Sequence, residues 1–583
     1  MEITSKTLVP IEEHFKVEAG PGAGKTDFLV NHLKNVVQHS TRLSCTRKAA
    51  CITYTNTGVS TILQRLGENI SEKVEVSTIH SFLYKNIVKP YASFIPASYE
   101  LDATCLSGHD DFTIRRSILN KWLDAPVFDS LKPPNTKNQL LFLPEQTNAL
   151  LNWLSSMQCV YQDNHFSFTC DSSKSHYQID SSSSSIKKSN LQILSNHLID
   201  LRKIFWREGK LFHDDVLFFS AILIDQYPFL LDVLRAKFPY LFLDEYQDTS
   251  PIQAYIINKI KESETIVGVI GDKAQSIYSF QGASPSLFDE FNVSQESKFT
   301  ITENHRSSDE IVQFLNILRT DIHQKSCRSK NGNSICIFVG NRAAAYKAAQ
   351  RFCETSVIES LARDNITSNA LKKDISNSTT YADILQTFRR VDSNSNRRRY
   401  VLAMISSIEL AKSGNIKHAI KSLEETFRTD HSHPQLALNS LSNLLASYST
   451  YSSGNLLYFY EQILPFSRLK LPTIRSGNVK AFYESTDYQS LAIHVNIPED
   501  TSEHITIHKS KGSEFKNVFV VGNKNIREFL LDPHLENEEH RIAYVAFSRA
   551  VDRLFIQFES DAFSYTDEES IKSKFSMVQI IRL

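Results

Sequence analysis

The sequence predicts an α/β chain with two cores, each interrupted by an inserted, mainly helical segment. Three observations predict it. Short apolar strands recur along the chain, the first of them turns through a glycine-rich segment into a helix, and two long stretches break the pattern. At 583 residues the chain is too long for one hydrophobic core. About 150 residues per domain suggests roughly four folding units, or two with large insertions.

The elements follow in order. FKVEA (15–19) reads as a strand and GPGAGKT (20–26) as the turn. FLVNHLKNVV (28–37) places Leu29, Leu33, Val36 and Val37 at helical spacing. ACITYTN (50–56), YLFLDEYQD (240–248) and TIVGVIGD (265–272) read as further strands, the last two apolar up to an acidic end. Late in the chain, HITIHKS (504–510) and KNVFVVG (516–522) are strands, and HRIAYVAFSRAVDRL (540–554) reads as a helix. Residues 84–204 carry the polar block 170–190, expected as an exposed flexible loop. Residues 345–495 look almost wholly helical and contain the charge run NSNRRRY (394–400). The expected division is therefore 1–83 with 205–283 as the first core, interrupted by 84–204, and 284–344 with 496–583 as the second, interrupted by 345–495.

Composition narrows the function. Apolar residues make up 41% and charged residues 22%, which excludes a disordered or fibrous chain. Lys+Arg 64 against Asp+Glu 65 leaves a net charge of −1, so any nucleic-acid surface must be local. The longest apolar stretch, 217–234, is broken by Asp, Gln and Pro, and no membrane span or signal peptide is expected. Eight cysteines without a CxxC pair argue against a disulfide framework and against a zinc or iron–sulfur site. A cytoplasmic protein is the expectation.

Four groups of residues carry chemistry. AGPGAGKT (Ala19, Gly20, Pro21, Gly22, Ala23, Gly24, Lys25, Thr26) has the form of a phosphate-binding loop. Glycines let backbone N–H groups converge on phosphate oxygens, Lys25 neutralises the outer phosphates, and the Thr26 hydroxyl holds Mg2+. In DEYQD (244–248), at the end of an apolar strand, Asp244 would hold the metal and Glu245 would orient and deprotonate water. In GDKAQSIYSFQGA (271–283), Gln275 can hydrogen-bond a γ-phosphate. Tyr278 and Phe280 can offer faces to unstacked bases; taken alone, they read equally as core aromatics. Arg306 and Arg549 can spread transition-state charge as arginine fingers do, though each in isolation reads as a surface ion pair. The run Arg397, Arg398 and Arg399 reads as a solvated helix face in preference to a duplex contact.

Together these residues resemble superfamily 1 helicases of the UvrD/Rep/PcrA group. AGPGAGKT resembles motif I, ITYTNTG (52–58) motif Ia and VSTIHSF (76–82) the next DNA-contact motif. LFLDEYQDTSPIQ (241–253) resembles motif II, GDKAQSIYSFQGA motif III and ENHRSS (303–308) motif IV. TIHKSKGSEFKNV (506–518) and EEHRIAYVAFSRA (538–550) resemble motifs V and VI, so the likeness runs across nearly the whole chain in order. The resemblance implies two RecA-like P-loop cores with ATP between them and a single-strand track served by Tyr54, Asn56, His80, Tyr278, Phe280 and His508. It assigns Glu514 to the nucleotide sugar and His305 to the position that stacks on the base. It implies ATP and Mg2+ as cofactors, with 3′-to-5′ movement on single-stranded or partly duplex DNA.

The departures are specific. Residues 1–24 contain no Gln where the family has an adenine-reading glutamine motif. The base-stacking tyrosine is His305, and the arginine late in motif III is Gln281. Lys25, Glu245 and Asp244 are all present, so an inactive relative is not expected. Three readings stand: an ATP-driven translocase or helicase, a nucleotide- and DNA-sensing regulatory subunit, and a housekeeping repair helicase. Stripped-down UvrD-like chains resemble the helicase component of bacterial antiphage systems of the Gabija type. There the partner is an OLD-family nuclease, and that analogy rests on the family alone.

Overall fold

The computed structural model describes the chain apart from residues 113, 163–164, 180–181, 329–333, 354–355, 374–383, 428–432, 467–470 and 498–501. It divides into two compact units, residues 1–305 with 322–327, and residues 306–321 with 328–583.

The first unit opens with β1 (Glu2–Ile3), β2 (Phe15–Ala19), β3 (Ala49–Thr53) and β4 (Val74–Thr78). Helices α1 (Lys25–His39) and α2 (Asn56–Leu66) make the first crossovers. Two antiparallel hairpins follow, β5 (Gln158–Gln162) with β6 (His165–Thr169), and β7 (His176–Ile179) with β8 (Ser182–Ser185). The chain returns through β9 (Tyr240–Leu243), β10 (Ile266–Gly271) and β11 (Lys298–Ile301). A small parallel ribbon of β12 (Glu303–Asn304) and β13 (Lys325–Ser326) completes it.

The main sheet has the order β1-β11-β2-β10-β9-β3-β4, and every pair is parallel. A parallel sheet needs helices on both faces, so its strands are apolar on both. Ala49, Cys51, Tyr240 and Phe242 pack with Phe15, Phe28 and Leu33 on one face. Their neighbours Ala50, Ile52, Leu241 and Leu243 pack with Val267 and Val269 on the other. Each large side chain buried this way contributes about 1.5–3 kcal/mol. Glycine is required at Gly268, where a Cβ would lie 2.2 Å from the Phe15 ring.

The second unit has its own parallel sheet. Strands β14 (Ile335–Val339), β15 (Glu359–Ala362), β16 (His504–Thr506), β17 (Phe515–Val521), β18 (Ala550–Phe558) and β19 (Val578–Arg582) lie in the order β16-β15-β17-β18-β14-β19. Between β15 and β16 the described residues are mainly helical, from Asn365–Lys372 to Tyr488–Ala492. They bury a separate core around Tyr400, Met404, Ile408, Phe459 and Tyr488.

The α/β class and the places of the strands read from the sequence appear as expected, although the strand read over 504–510 ends at Thr506 and turns there. Five further differences stand out. β11 pairs with β2 in the first sheet, so the first unit extends to His305 and does not end at 283. β15 belongs to the second sheet, so the helical insertion starts after it and not at 345. The polar block 170–190 forms the β7–β8 hairpin, with Tyr177 and Ile186 buried, where a flexible loop was expected; its residues 180–181 lie outside the described residues. The helix expected over 540–554 spans Glu538–Ser548, and β18 takes over at Ala550, because Leu554, Ile556 and Phe558 supply strand alternation. Arg397 is neither a solvated cation nor a duplex contact. Its guanidinium is buried, 2.6 and 2.8 Å from the Asp392 carboxylate, which also accepts from the Tyr483 hydroxyl at 2.7 Å. Arg399 is exposed, as a solvated face requires.

No single helix among the described residues is long and apolar enough to cross a membrane. The pair His213–Gln226 and Phe229–Lys237, which covers the long apolar stretch, passes by length and composition only together and is bent by 111°. Residues such as Leu217, Phe219, Leu223, Leu230 and Leu234 bury it in the first unit's core.

His32 on α1 makes stability depend on pH. It is 1% exposed, its ring lies 4.8 Å from Phe15 and 4.9 Å from Phe242, and neither nitrogen has a hydrogen-bond partner among the described residues. Burial pushes its pKa from 6.5 down to about 4. Between those values the unfolded chain takes up a proton that the folded chain refuses, so stability falls as pH drops. His32→Phe should remove that dependence and retain about 2 kcal/mol more than the parent at pH 5, relative to pH 7. Urea unfolding at the two pH values measures it; an unchanged difference would show that His32 does not titrate there.

Candidate functional site

The phosphate-loop sequence leaves β2 at Ala19 and enters α1 at Lys25. Gly22 (φ 70°) and Gly24 (φ 81°) sit in the left-handed region, which a side chain would strain. Gly24 caps α1 without a side-chain acceptor, so the first-turn N–H groups have no capping side chain and suit an anion. The Lys25 ammonium rests on the Ala19 carbonyl at 3.3 Å.

The loop is braced by the ribbon. Asn304 and Gln324 each donate a side-chain amide to the Pro21 carbonyl at 3.0 Å, and the His305 N–H donates to the Gly22 carbonyl at 2.9 Å. A Cβ on Gly20 would lie 2.6 Å from the Gln324 amide carbon, so this glycine is needed for close packing. Sequence reading missed Gln324 as a site residue. It is buried and lies 299 positions after Lys25, in a segment without a local pattern of its own. Only the neighbouring ENHRSS segment signalled this region.

Strand register gathers the acidic groups beside the loop. Gly271 pairs with Glu18 and Val269 with Leu243, so Asp272 and Asp244 leave the sheet at the same edge as Gly20. Ligand sites of open parallel sheets lie at this edge. Glu245 adopts φ 55°, ψ 40°, an uncommon conformation for a residue with a Cβ, costing about 1–2 kcal/mol. Gln247 holds it there. Fully buried, it donates to the Glu245 carboxylate and accepts from the Asp272 N–H at 2.9 Å. The Ser276 hydroxyl caps the Gln247 carbonyl at 3.0 Å, and Gln275 donates to the Asp272 carboxylate. A Cβ on Gly271 would lie 2.6 Å from Gln247 Oε1, so this glycine admits the glutamine. Sequence reading also passed over Gln247, although its position in DEYQD was visible.

Thr26, in the first turn of α1, and Asp244, at the end of β9, supply a hydroxyl and a carboxylate. Hard oxygen donors at one sheet edge fit Mg2+, which keeps several waters and needs few protein ligands.

The aromatic pair lies on the same unit. Tyr278 stacks on Tyr54 at 4.7 Å between ring centroids, and Phe280 lies 6.0 Å from Tyr278. Phe280 is 64% exposed, against the core-packing alternative for that residue. The Tyr54 hydroxyl donates to Gln281, linking the Tyr54 loop to the Tyr278 loop. Asn56 is exposed at the start of α2, with Thr55 capping the helix. His80 faces His109 and His213, at 6.2 and 5.3 Å between centroids; burial and these two imidazoles push its pKa down to about 3, so it is neutral at pH 7.

In the second unit, the Arg306 guanidinium donates to Glu514 at 2.8 Å and to the Ser548 carbonyl at 3.2 Å. Two residues expected to face nucleotide are thus paired with each other. Arg549 is buried at 1% exposure and donates to the Val545 and Ser513 carbonyls at 3.1 Å and to the Ser548 hydroxyl at 2.9 Å. His508 lies in the turn after β16, its carbonyl accepting from the Lys511 N–H.

Residues 2–296 match the UvrD/REP helicase N-terminal domain, and residues 379–561 match the UvrD-like helicase C-terminal domain. An ATP-dependent DNA helicase PcrA of Leuconostoc citreum is 23% identical over 94% of this chain and 80% of its own length. An ATP-dependent DNA helicase Rep of Buchnera aphidicola is 25% identical over 52% of this chain and 40% of its own length. The Gabija protein GajB of Bacillus cereus is 24% identical over 57% of this chain and 51% of its own length.

Gln247→Ala tests the central link. It should leave nucleotide binding within about threefold and lower the rate of ATP hydrolysis about 100-fold, the scale of misplacing a reacting group by an ångström. Equilibrium nucleotide binding alongside steady-state hydrolysis separates the two; an unchanged rate would show that Glu245 keeps its place unaided.

Proposed function

The chain belongs to the UvrD/REP helicase family, and we propose that it is an ATP-driven translocase that moves 3′ to 5′ on single-stranded DNA. The observation that carries this reading is the bond path from Glu245 through Gln247 to Asp272. Asp272 opens the segment that ends in the Tyr278–Phe280 aromatics, so a hydrolytic group and a base-stacking group share one short stretch of backbone.

In this reading each sheet supplies a RecA-like core. The N–H groups of Gly22 to Thr26 and the Lys25 ammonium bind the ATP phosphates. Glu245 orients the attacking water and takes its proton, while Gln275 exchanges its bond to Asp272 for one to the γ-phosphate. Mg2+, held by Thr26 and Asp244, would neutralise charge on the phosphate oxygens. As the family resemblance implies, Arg306 and Arg549 would serve as cations for phosphate charge, and Glu514 would contact the sugar. Tyr54, Tyr278 and Phe280 give sequence-tolerant faces to bases, and Asn56, His80 and His508 flank the strand.

The likeness to the Gabija protein GajB supports a finer reading, in which the chain acts in antiphage defence; the OLD-family nuclease partner rests on the family resemblance alone. The mutual pairing of Arg306 and Glu514 favours, as a second reading, a regulatory subunit that senses nucleotide and DNA with little unwinding of its own.

Steady-state ATP hydrolysis with and without single-stranded DNA decides between them. The motor reading expects stimulation of tenfold or more, loss of about 1000-fold in Glu245→Gln, and at least tenfold weaker single-strand binding in Tyr278→Ala, as loss of one stacked base implies. Hydrolysis indifferent to DNA, with nucleotide still bound, would instead support the regulatory subunit.

A further inference from the structure

The ribbon that braces the phosphate loop has a second face. Glu303 pairs with Lys325 and Asn304 with Ser326, and the Cys327 N–H donates to the Asn304 carbonyl at 2.9 Å. Asn304 turns its amide inward to the loop, while Glu303 before it and His305, in the bend after the strand, bring their side chains together on the outer side. Cys327 continues the adjacent strand beside them. The Glu303 carboxylate lies 3.0 Å from His305 Nε2, and one ligand atom from each of Glu303, His305 and Cys327 lies within 4.8 Å of the other two. Glu303 is partly exposed, and His305 and Cys327 are exposed, so an ion could reach all three.

We propose that Glu303, His305 and Cys327 form a three-donor site for a zinc-class divalent ion, with a fourth position left to water. A carboxylate, an imidazole and a thiolate are the ligands of borderline-soft metals, whereas Mg2+ and Ca2+ call for oxygens alone. Ligands on one tetrahedral zinc sit roughly 3.5 Å apart, so the cluster needs to contract by about an ångström, which surface side chains do readily. Binding releases the thiol proton to solvent and leaves the imidazole neutral, so it weakens as pH falls. Cysteine spacing gives no sign of this cluster, because Glu303 and His305 meet Cys327 only through the pairing of β12 with β13.

The site adjoins the nucleotide loop, since the His305 N–H bonds Gly22. On the reading of His305 as the group that meets the base, metal and nucleotide compete for one imidazole. Zinc therefore weakens nucleotide binding, and nucleotide weakens zinc binding by the same factor.

Cobalt(II) titration of the full chain is the test, because a thiolate–cobalt bond adds a charge-transfer absorption that carboxylate and imidazole ligands do not. One equivalent should produce the band, Cys327→Ser should abolish it, and Glu303→Gln should weaken binding at least tenfold. Exposed Cys45 and Cys105 are controls: their serine variants should keep the band. No band, or a band that survives Cys327→Ser, overturns the site. A fluorescent ATP analogue then reads the competition, with affinity falling at least tenfold in zinc for the parent and unchanged in zinc for Cys327→Ser. Equal affinity with and without zinc in a chain that shows the cobalt band overturns the competition. An analogue that fails to bind even without metal would instead refute the nucleotide reading of the loop.

Discussion

Gln247 stands between two strand ends with no exposure to water, and its one amide group is engaged at both atoms. A buried amide that lost either partner would cost about 1–3 kcal/mol, so the two strand ends hold the side chain as firmly as it holds them. Glu245 depends on this arrangement most. Its left-handed backbone is unfavourable by itself, and the Gln247 bond and the Asp248 N–H to Glu245 carbonyl bond, at 3.0 Å, retain it. Parallel register is the prior condition. Only because β10 lies between β2 and β9 do the loop, Asp272 and Asp244 emerge side by side.

The arginines of the second unit show a different economy. Arg549 spends its donors on two carbonyls and a hydroxyl, and Arg306 spends its own on Glu514 and a carbonyl. Neither therefore offers a bare charge. In the proposed mechanism each would exchange existing bonds for a phosphate oxygen, and a charged acceptor returns more than the neutral carbonyl it replaces. Arg306 gains less from the exchange, because one of its acceptors is already a carboxylate. Glu514 is 62% exposed at its side chain, so solvent screening lowers the cost of leaving it.

Much of this was legible in the sequence, and the parts that were not have identifiable causes. The loop, Asp244, Glu245 and the strands before them could be read because each is local: a glycine pattern, or an apolar run ending in acid. Phe280 was ambiguous because an aromatic residue looks the same in a core and on a surface; only the fold separates them. Gln324 and the outer ribbon face were invisible because they depend on pairing between segments 22 residues apart in sequence, as Glu303 is from Lys325. Arg397 misled for the same reason in reverse. A triple arginine run suggests solvent, and only the position of Asp392 and Tyr483 in the helical core accounts for one of the three being buried.

The ribbon ties these themes together through the period of two that governs any strand. Asn304 faces the phosphate loop while Glu303 faces away, and a one-residue slip would exchange the two. The inner contacts to Pro21 and Gly22 fix the register, so the outer groups are set as a consequence of how the loop is braced. Substitution of an outer side chain can therefore change what the outer face binds while the backbone that supports the loop stays in place. Substitution of Asn304 or Gln324 cannot be confined in that way, since it removes a bond to the loop itself. The two faces thus separate a fixed structural task from an adjustable surface, on a segment two residues wide.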